Sequence, residues 1–424
     1  MPILPRHLTA RVQDALAMSR VVNVIGPRQV GKTTLVRDMI ASSRYLTMDT
    51  KTVREAMETD ALAQLSAIHT GATQQLPIVL DEIQRVPDVS LALKQIVDVY
   101  SRPGQFLLTG SADIFTYSRA VDSLAGRVLT LTLRALSSAE IMRAGPAGIL
   151  DAAISASPTS ALPKPVPYNR QDAVDLMVRG GFPEIRTLKG RNRSDRYSSY
   201  LDSIVEHDVV GLFPVRKPDN LRRMIDQLAG RTANELNMQS LCSDLGIKHD
   251  TAVAYLDALI KLGVVHSLGS WASGGGSREI KRPKLHIMDT GVAAALRGED
   301  AYSYDLSGNP TALGAILETF TFNELEKSLP FQNDRWRLYH YRHQDGREID
   351  IVAEAPGRRL ALFEMKATGE VGLEDFRHSE WFLGRSGPAS AYTGVAFVVY
   401  LGSNVVSFGP SKIALPLSIF WSFL

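Results

Sequence analysis

The sequence is poor in cysteine, in long apolar runs and in any excess of charge of one sign. Cys242 is the only cysteine among 424 residues. This excludes an intrachain disulfide and a zinc site built on several thiolates. Lys and Arg together number 47 and Asp and Glu 45, so the net charge is only +2. That balance excludes a basic nucleic-acid coat and an acidic disordered tail, and any nucleic-acid surface has to be a local patch.

Neither end of the sequence carries a signal for export or for a membrane. The opening MPILPRHLTARV lacks an apolar run of signal-peptide length. The apolar run at 413–424 is shorter than the roughly 20 residues that a membrane-spanning helix needs. We therefore expect no membrane segment, a reducing cytoplasmic setting, and a buried strand at the end of the chain.

The length predicts about three domains, at roughly 150 residues each. From residue 7 to about 140, short apolar runs alternate with helical patterns, which predicts an α/β fold with a parallel sheet. The strand candidates lie at 21–25, 45–48, 78–80, 106–109 and 128–133. The proline-rich segment LPKPVP at 162–167 predicts a semi-rigid linker.

A phosphate-binding loop follows the first of these strands. The segment GPRQVGKT fits the pattern G-x-x-x-x-G-K-[ST] and lies between a strand and a helix, where the motif belongs. Its backbone amides would surround the phosphates of ATP, Lys32 would reach the β- and γ-phosphates, and Thr33 would bind Mg²⁺. The predicted nucleotide-binding residues are Gly26, Pro27, Arg28, Gln29, Val30, Gly31, Lys32, Thr33 and Thr34.

The strand IVL at 78–80 ends in two carboxylates, Asp81 and Glu82. A strand that ends in Asp-Glu is common, but beside a phosphate-binding loop it favours nucleotide hydrolysis. Asp81 is then placed to hold the magnesium shell, and Glu82 to orient or deprotonate the attacking water.

Three further residues are catalytic candidates with structural alternatives. The strand FLLTGS could lie between the other two and present Thr109 or Ser111 to the γ-phosphate, although Ser111 fits a helix cap equally well. Arg127 could stabilise developing charge, in cis or from a neighbouring subunit, or could form a surface salt bridge.

These motifs resemble a known family. The runs GPRQVGKTTLVRDM, LDEIQRVPDV, FLLTGSADI and SLAGRVLTLTLRALSSAE are similar to the AAA-type P-loop ATPases of prokaryotes, many of which carry a C-terminal region formerly of unknown function. The likeness continues through GGFPEI, YLDSIVEHDVV, KLHIMDTGVAAAL, GAILETFTFNEL, REIDIV and FEMKA. It departs at Ala135, where the family usually has proline, and at His207, where a basic residue is common.

The segment 219–300 has the helical spacing and strand pair of a winged helix-turn-helix. The helix in the recognition position contains Asp257 and a single cation, Lys261, which argues against specific base reading. A cluster of Arg278, Lys281, Arg282 and Lys284 is better suited to phosphate contacts, so non-specific DNA binding is the expectation. A scaffold that packs two domains together is the alternative.

Two apolar alternating segments, EIDIV and LALFEMK, flank the turn APGRR and predict a β-hairpin. If the pairing is centred on Gly357, Asp350 lies opposite Glu364 and Glu348 lies opposite Lys366. Period-two geometry then puts all four on one face. Facing carboxylates repel unless a cation neutralises them, and oxygen ligands suit Mg²⁺ or Mn²⁺.

This hairpin is similar to the core of the PD-(D/E)XK nucleases, to which the last domain of the family is thought to be related. The likeness implies metal ligands at Glu318, Asp350 and Glu364, with Lys366 as a catalytic lysine that positions a water. An inactive nuclease fold that serves as a docking module is the alternative.

The predicted organisation is an AAA-type P-loop ATPase domain at 1–160, a linker and helical region at 161–218, the winged helix at 219–300, and an α/β restriction-endonuclease-like domain at 301–424. The first functional hypothesis is an ATPase that remodels or cleaves nucleic acid, with DNA favoured. The second is an ATP-driven switch in signalling or toxin–antitoxin-like defence, in which the nuclease fold binds a protein partner. A homo-oligomer stays open in both.

Overall fold

The computed structural model describes residues 3–72, 75–110, 124, 126–209, 217–273, 282–304 and 310–424. The chain divides into two units by its internal contacts. The N-terminal unit is residues 6–135 with 261–263, and the C-terminal unit comprises residues 136–260 and 264–424 with the first few residues. The domain boundaries at 160, 218 and 300 stay predictions.

The N-terminal unit is built on a parallel sheet in the order β2-β3-β4-β1-β5. Its strands are β1 (Val21–Ile25), β2 (Arg44–Thr47), β3 (Ile78–Asp81), β4 (Phe106–Gly110) and β5 (Val128–Thr132). All five predicted strands are present within two residues of the expected bounds, and the predicted parallel α/β class is confirmed. The three central strands are almost wholly buried, as their mainly apolar sequences predict.

The helices of this unit are α1 (Leu8–Met18), α2 (Lys32–Thr34), α3 (Lys51–Gly71) and α4 (Val89–Val99), with a π-helical turn at Leu35–Met39 and a 3₁₀ turn at Ile83–Arg85. Strand β4 lies between β1 and β3, as predicted. Because parallel strands end at one edge of the sheet, the segments that follow β1, β3 and β4 meet there.

The C-terminal unit begins with helices α5 (Ser138–Met142), α6 (Ile149–Ala153), α7 (Pro158–Ala161), α8 (Arg170–Arg179) and α9 (Gly190–Ser203). A three-stranded antiparallel sheet follows, in the order β6-β8-β7, made of β6 (Asn234–Glu235), β7 (Val265–Leu268) and β8 (Lys284–Ile287). The helices beside it are α10 (Pro218–Gly230), α11 (Met238–Leu245), α12 (His249–Lys261) and α13 (Thr290–Leu296). Three helices and a strand pair are present between 219 and 300 in the predicted order, together with β6 and α13, which were not expected. The assignment of a winged helix-turn-helix stays a prediction.

A mixed six-stranded sheet forms the rest of this unit, in the order β13-β14-β12-β11-β10-β9. Its strands are β9 (Arg337–Arg342), β10 (Glu348–Ala355), β11 (Arg359–Lys366), β12 (Thr393–Tyr400), β13 (Val406–Ser407) and β14 (Lys412–Pro416). Helix α14 (Pro310–Ser328) packs on β11 and β8, and α15 (Arg377–Leu383) packs on β10 and β12.

The end of the chain differs from the prediction of a single final strand. The strand stops at Pro416, and a 3₁₀ turn, Leu417–Trp421, continues the buried run. Proline cannot extend the backbone ladder of a strand, which accounts for the stop. Among the described residues, the model contains no helix that is both long enough and apolar enough to cross a membrane.

The GGFPEI and MDTG motifs meet at one buried junction in this unit. The Asp289 carboxylate accepts hydrogen bonds from the backbone amides of Gly181, at 2.7 Å, and of Gly291, at 2.9 Å. Gly180 has a φ of +65°, and a Cβ there would lie 2.0 Å from Asp289 Oδ1. Both motifs are therefore explained by packing.

Candidate functional site

The phosphate-binding loop joins β1 to α2 through backbone conformations that need glycine. Gly26 has a φ of +149°, and a Cβ there would lie 2.0 Å from the carbonyl oxygen of Leu133. Gly31, which immediately precedes α2, has a φ of +99°. Arg6 fixes the loop from outside, because its guanidinium donates to the carbonyl oxygens of Val30, at 2.5 Å, and Arg134, at 2.6 Å. The loop is thus held in shape by the protein itself.

Lys32 lies within this loop. Its side chain is buried, and its ammonium donates to the carbonyl oxygens of Gly26 and Pro27, each at 2.9 Å. These two carbonyls hold the Lys32 ammonium at the loop. A phosphate group bound there would accept the hydrogen bonds that the ammonium now donates to the carbonyls.

Asp81 connects three strands of the sheet through hydrogen bonds to its carboxylate. Its Oδ2 accepts from the Thr33 hydroxyl at 3.0 Å and from the Tyr45 hydroxyl at 2.6 Å, and its Oδ1 accepts from the Thr109 hydroxyl. Burial and Asp81 together raise the pKa of Tyr45. Tyr45 is not identified by the sequence motifs, because it stands in an ordinary strand with no motif around it.

Glu82 lies next to Asp81 in a left-handed backbone conformation, with φ +58° and ψ +44°. Its amide donates to the Thr109 hydroxyl at 3.1 Å, and its carboxylate accepts from the Gln84 side chain. Non-glycine residues adopt this conformation at a cost, typically of about 1–3 kcal/mol, and such strain often marks functional sites.

Thr109 contacts both acidic residues of the site. Its hydroxyl donates to the Asp81 carboxylate and accepts from the backbone amide of Glu82, and its side chain is fully buried. Since a hydroxyl has one proton to donate, that proton is used here by Asp81, and a contact of Thr109 with a γ-phosphate stays a prediction. Ser111, the other candidate on this segment, lies outside the described residues.

Arg127 is placed at the wrong edge of the sheet for a role in cis. It precedes β5, and its carbonyl oxygen accepts from the amide of Val21 at the start of β1. Its guanidinium pairs with Asp98. Because the loop follows the far end of β1, about 16 Å along a five-residue strand, Arg127 does not reach phosphates held there. The surface salt bridge was the correct alternative within one chain, and a role in trans stays a prediction.

The donor set at the loop fits a nucleoside triphosphate and magnesium. Buried Lys32 supplies charge, the loop supplies amides at the start of a helix, and Thr33 and Asp81 supply neighbouring oxygen atoms. Of the other predicted loop residues, Arg28 and Gln29 lie in the turn before the helix, and Thr34 lies in α2.

The second predicted site is the hairpin of β10 and β11, and its register is as expected. Ile351 lies opposite Phe363 and Ala355 opposite Arg359, around a turn with Gly357 at φ +81°. One step further, the Asp350 carboxylate accepts from the amide of Met365 at 3.0 Å. Asp350 and Glu364 are neighbours, as predicted.

The cation at this cluster is a lysine. Lys284, on β8, is 2% exposed, and its ammonium lies 2.7 Å from Glu318 Oε1, 2.5 Å from Glu348 Oε1 and 3.5 Å from Asp350 Oδ1. Burial lowers the pKa of Lys284, but the three carboxylates raise it more, and the net shift is upward. Burial and Asp350 raise the pKa of Glu318 well above its usual range.

The two remaining residues of the predicted nuclease set are not arranged around a metal. Lys366 forms an ion pair with Asp375 at 3.4 Å. Glu364 is buried, burial and Asp350 raise its pKa well above the usual range, and no hydrogen bond reaches its Oε1 in the described part of the chain.

The metal ligands predicted here are therefore not supported as a set. No group of three or more His, Cys, Asp or Glu side chains among the described residues is arranged to hold a metal ion. The physical reason is that an ammonium already stands between Glu318, Glu348 and Asp350. A divalent cation does not fit this arrangement.

Lys284 does not belong to the predicted DNA-contacting cluster, because its side chain is buried and unavailable to phosphate. Arg278 and Lys281 lie outside the described residues, and Arg282 is exposed. Helix α12 exposes Asp250, Asp257 and Lys261, a face with more acidic than basic side chains. This face does not favour a nucleic-acid backbone.

Comparisons with known proteins match three separate parts of the chain to protein families. Residues 18–142 match the family described as AAA domain, and residues 170–303 and 313–420 match two families described as domains of unknown function, DUF8612 and DUF4143. The uncharacterized proteins Mb2031c of Mycobacterium bovis and Rv2008c of Mycobacterium tuberculosis are each 33% identical over 371 residues, which is 87% of this chain and 75% of theirs. A Walker-type ATPase of Pyrococcus abyssi is 14% identical, with a TM-score of 0.43 over 70% of this chain and 96% of its own.

Proposed function

We propose, from the premise that this chain belongs to the family of the two mycobacterial proteins and carries an AAA-type ATPase domain, that it is a magnesium-dependent ATP hydrolase. The observation that carries the proposal is the single hydrogen-bonded group formed by Thr33, Asp81 and Thr109 beside the loop. It brings the ends of β1, β3 and β4 together at one edge of the sheet.

Each residue of this group has a separate task. Lys32 binds the β- and γ-phosphates through the ammonium that its loop carbonyls now hold, and the loop amides bind the remaining phosphate oxygens. Thr33 and Asp81 would hold Mg²⁺, which would supply positive charge to the phosphates when bound. Glu82 accepts the proton of the attacking water, and Thr109 fixes its backbone.

The test is steady-state ATP hydrolysis with and without Mg²⁺, in the wild type and in Lys32→Ala. We expect turnover that requires Mg²⁺ and that Lys32→Ala lowers by at least about 100-fold, since the phosphate charge loses its partner. Lys51→Ala is the matched control, because Lys51 is exposed and forms a surface ion pair with Glu55. Equal turnover in the Lys32 and Lys51 variants would contradict the assignment.

The first candidate for what the ATPase drives is nucleic acid, bound non-specifically by the C-terminal unit. The support is the basic segment 189–196 around the start of α9. It contains four cations and one acidic residue, Asp195; the cations are Lys189, Arg191, Arg193 and Arg196. The charges of this segment are mostly exposed, and cations so arranged suit a phosphate backbone. Winged-helix contacts by Arg282 belong to the same proposal.

Stimulation of ATP hydrolysis by single- or double-stranded DNA tests this candidate. We expect Arg191→Glu with Arg196→Glu to weaken DNA binding and to flatten its dependence on salt, because fewer counterions are released. Lys261→Glu on α12 is the control. If DNA neither binds nor stimulates, nucleic-acid coupling is wrong while the ATPase stands.

The second candidate is a nucleotide switch, in which the C-terminal unit binds a protein partner and cuts nothing. What supports it is the lysine within the carboxylate cluster and the acidic face of α12. Slow turnover without DNA stimulation, together with an oligomeric state that changes between ADP and a non-hydrolysable ATP analogue, would favour it. Magnesium-dependent cleavage that Glu364→Ala abolishes would instead restore the nuclease hypothesis.

A further inference from the structure

The carboxylate cluster of the C-terminal unit joins three elements through one buried lysine. Lys284 comes from β8, Glu318 from the middle of α14, and Glu348 and Asp350 from β10. The ammonium of Lys284 is 2% exposed and lies within 3.5 Å of an oxygen atom of each carboxylate. The cluster is therefore a built site in which an ammonium already occupies the position of the cation.

A buried charge is expensive unless it is paired, and this cluster contains more negative than positive groups. Three carboxylates surround Lys284, and Glu364 stands beside Asp350 with an oxygen that no described hydrogen bond reaches. Arg342 contributes at the rim, 3.6 Å from Glu348. A single ammonium cannot neutralise all of these carboxylates, so removing it leaves several acidic oxygens facing one another.

The cluster resembles a metal site in its oxygen-rich surroundings, but the cation at its centre is an ammonium group. Three carboxylate oxygens, one from α14 and two from β10, converge on one positive centre. A cavity of about 330 Å³, lined by Lys284, Glu318, Glu348 and Asp350 among others, opens beside it. Oxygen-rich sites of this kind suit hard divalent cations when no side chain fills them.

We propose that Lys284 is the resident cation of this cluster: it takes the place of a divalent metal, ties β8 to α14 and β10, and keeps the site closed to metal ions. Replacing Lys284 by an uncharged residue of similar length converts the cluster into a divalent-cation site. The proposal is independent of the ATPase activity.

The test is thermal unfolding and Mn²⁺ binding by electron paramagnetic resonance, on the full chain without nucleotide. Lys284→Met should unfold at least about 5 °C below the wild type, because several buried carboxylates lose their partner. Added Mn²⁺ should restore much of that loss in Lys284→Met and should do nothing comparable in the wild type. Lys284→Met with Asp350→Asn should lose the response to Mn²⁺.

Lys327→Met is the matched control. Lys327 is also largely buried, but it pairs with a single carboxylate, Glu324, at 2.9 Å, and donates to the carbonyl oxygen of Leu136 at 3.0 Å. Its loss should lower stability without creating a response to Mn²⁺. A response of equal size in both variants would overturn the proposal, because the metal would then act elsewhere.

Mn²⁺ binding by the wild type tests the proposal even if Lys284→Met does not fold. Mn²⁺ bound by the wild type and lost in Glu318→Gln would overturn the proposal, because Lys284 would then not exclude a metal. Absence of such binding, together with recovery of folded Lys284→Met only when Mn²⁺ is present, would support it. A folded Lys284→Met that binds no Mn²⁺ at this cluster would also overturn it.

Discussion

The hydroxyl of Thr33 donates to the carboxylate of Asp81 at 3.0 Å, although 48 positions separate the two residues in sequence. Thr33 follows the phosphate-binding loop, and Asp81 ends β3. Their contact brings the two halves of the proposed ATPase site into a common group of hydrogen bonds. The same carboxylate also binds Tyr45 and Thr109, so its orientation is set before any ligand arrives.

Glu82→Gln should bind ATP normally and hydrolyse it at least about 100-fold more slowly, because an amide cannot accept the proton of the attacking water. Nucleotide binding by equilibrium dialysis and single-turnover hydrolysis measure the two effects separately. Unchanged turnover would remove Glu82 from the mechanism. Glu58→Gln, on an exposed position of α3, is the control.

Tyr45→Phe should raise the Mg²⁺ concentration needed for half-maximal hydrolysis by roughly tenfold. The variant deletes one hydrogen bond to a charged group, worth about 1.5–3 kcal/mol, while Thr33 and Thr109 still hold Asp81. A Mg²⁺ titration of turnover at saturating ATP measures this change. A drop in maximal rate with no change in the Mg²⁺ requirement would show that Tyr45 acts by another route.

Arg127→Ala should change ATP turnover by less than about twofold in dilute protein, because Arg127 stands at the opposite edge of the sheet from the loop. Turnover measured over a wide range of protein concentration extends the test to oligomers. A loss that grows with protein concentration would assign Arg127 to a neighbouring subunit's site.

The stability of the C-terminal unit should fall as the pH is lowered below about 6.5, partly through His286. His286 is fully buried against Phe322, and burial, together with Lys284 and two other histidines, lowers its pKa well below the usual value. The folded state then binds fewer protons than the unfolded state, so protonation favours unfolding by roughly 1.4 kcal/mol per pH unit. Urea unfolding of His286→Gln should show a smaller slope against pH, whereas exposed His249→Gln should match the wild type.

The parts of the fold that could be predicted are those that local patterns specify. The loop residues, the strand that carries Asp81, and the register of the β10–β11 hairpin all follow from short-range spacing. The placement of β4 between β1 and β3 was suggested by the small hydroxyl residues at its end.

The parts that could not be predicted depend on contacts between distant segments. Lys284 reads as a surface cation in its sequence, and only the arrival of Glu318 and β10 makes it a buried ion. The contacts of Tyr45 and Thr109 with Asp81 could not be predicted for the same reason, since they depend on which strands are neighbours in the sheet. The alternatives for Arg127 stayed open in the sequence, because an arginine beside a strand does not reveal which end of the sheet it occupies.

The lysine in the carboxylate cluster also bears on how the chain reaches its folded state. Lys284 precedes Glu318 by 34 positions and Asp350 by 66. Until those residues leave the ribosome, the Lys284 ammonium on β8 lacks these carboxylate partners and must stay solvated by water. We therefore expect the small sheet that contains β8 to complete its interior only after the hairpin at 348–366 has been synthesised, so that the folding of this half of the molecule depends on residues near the end of the chain.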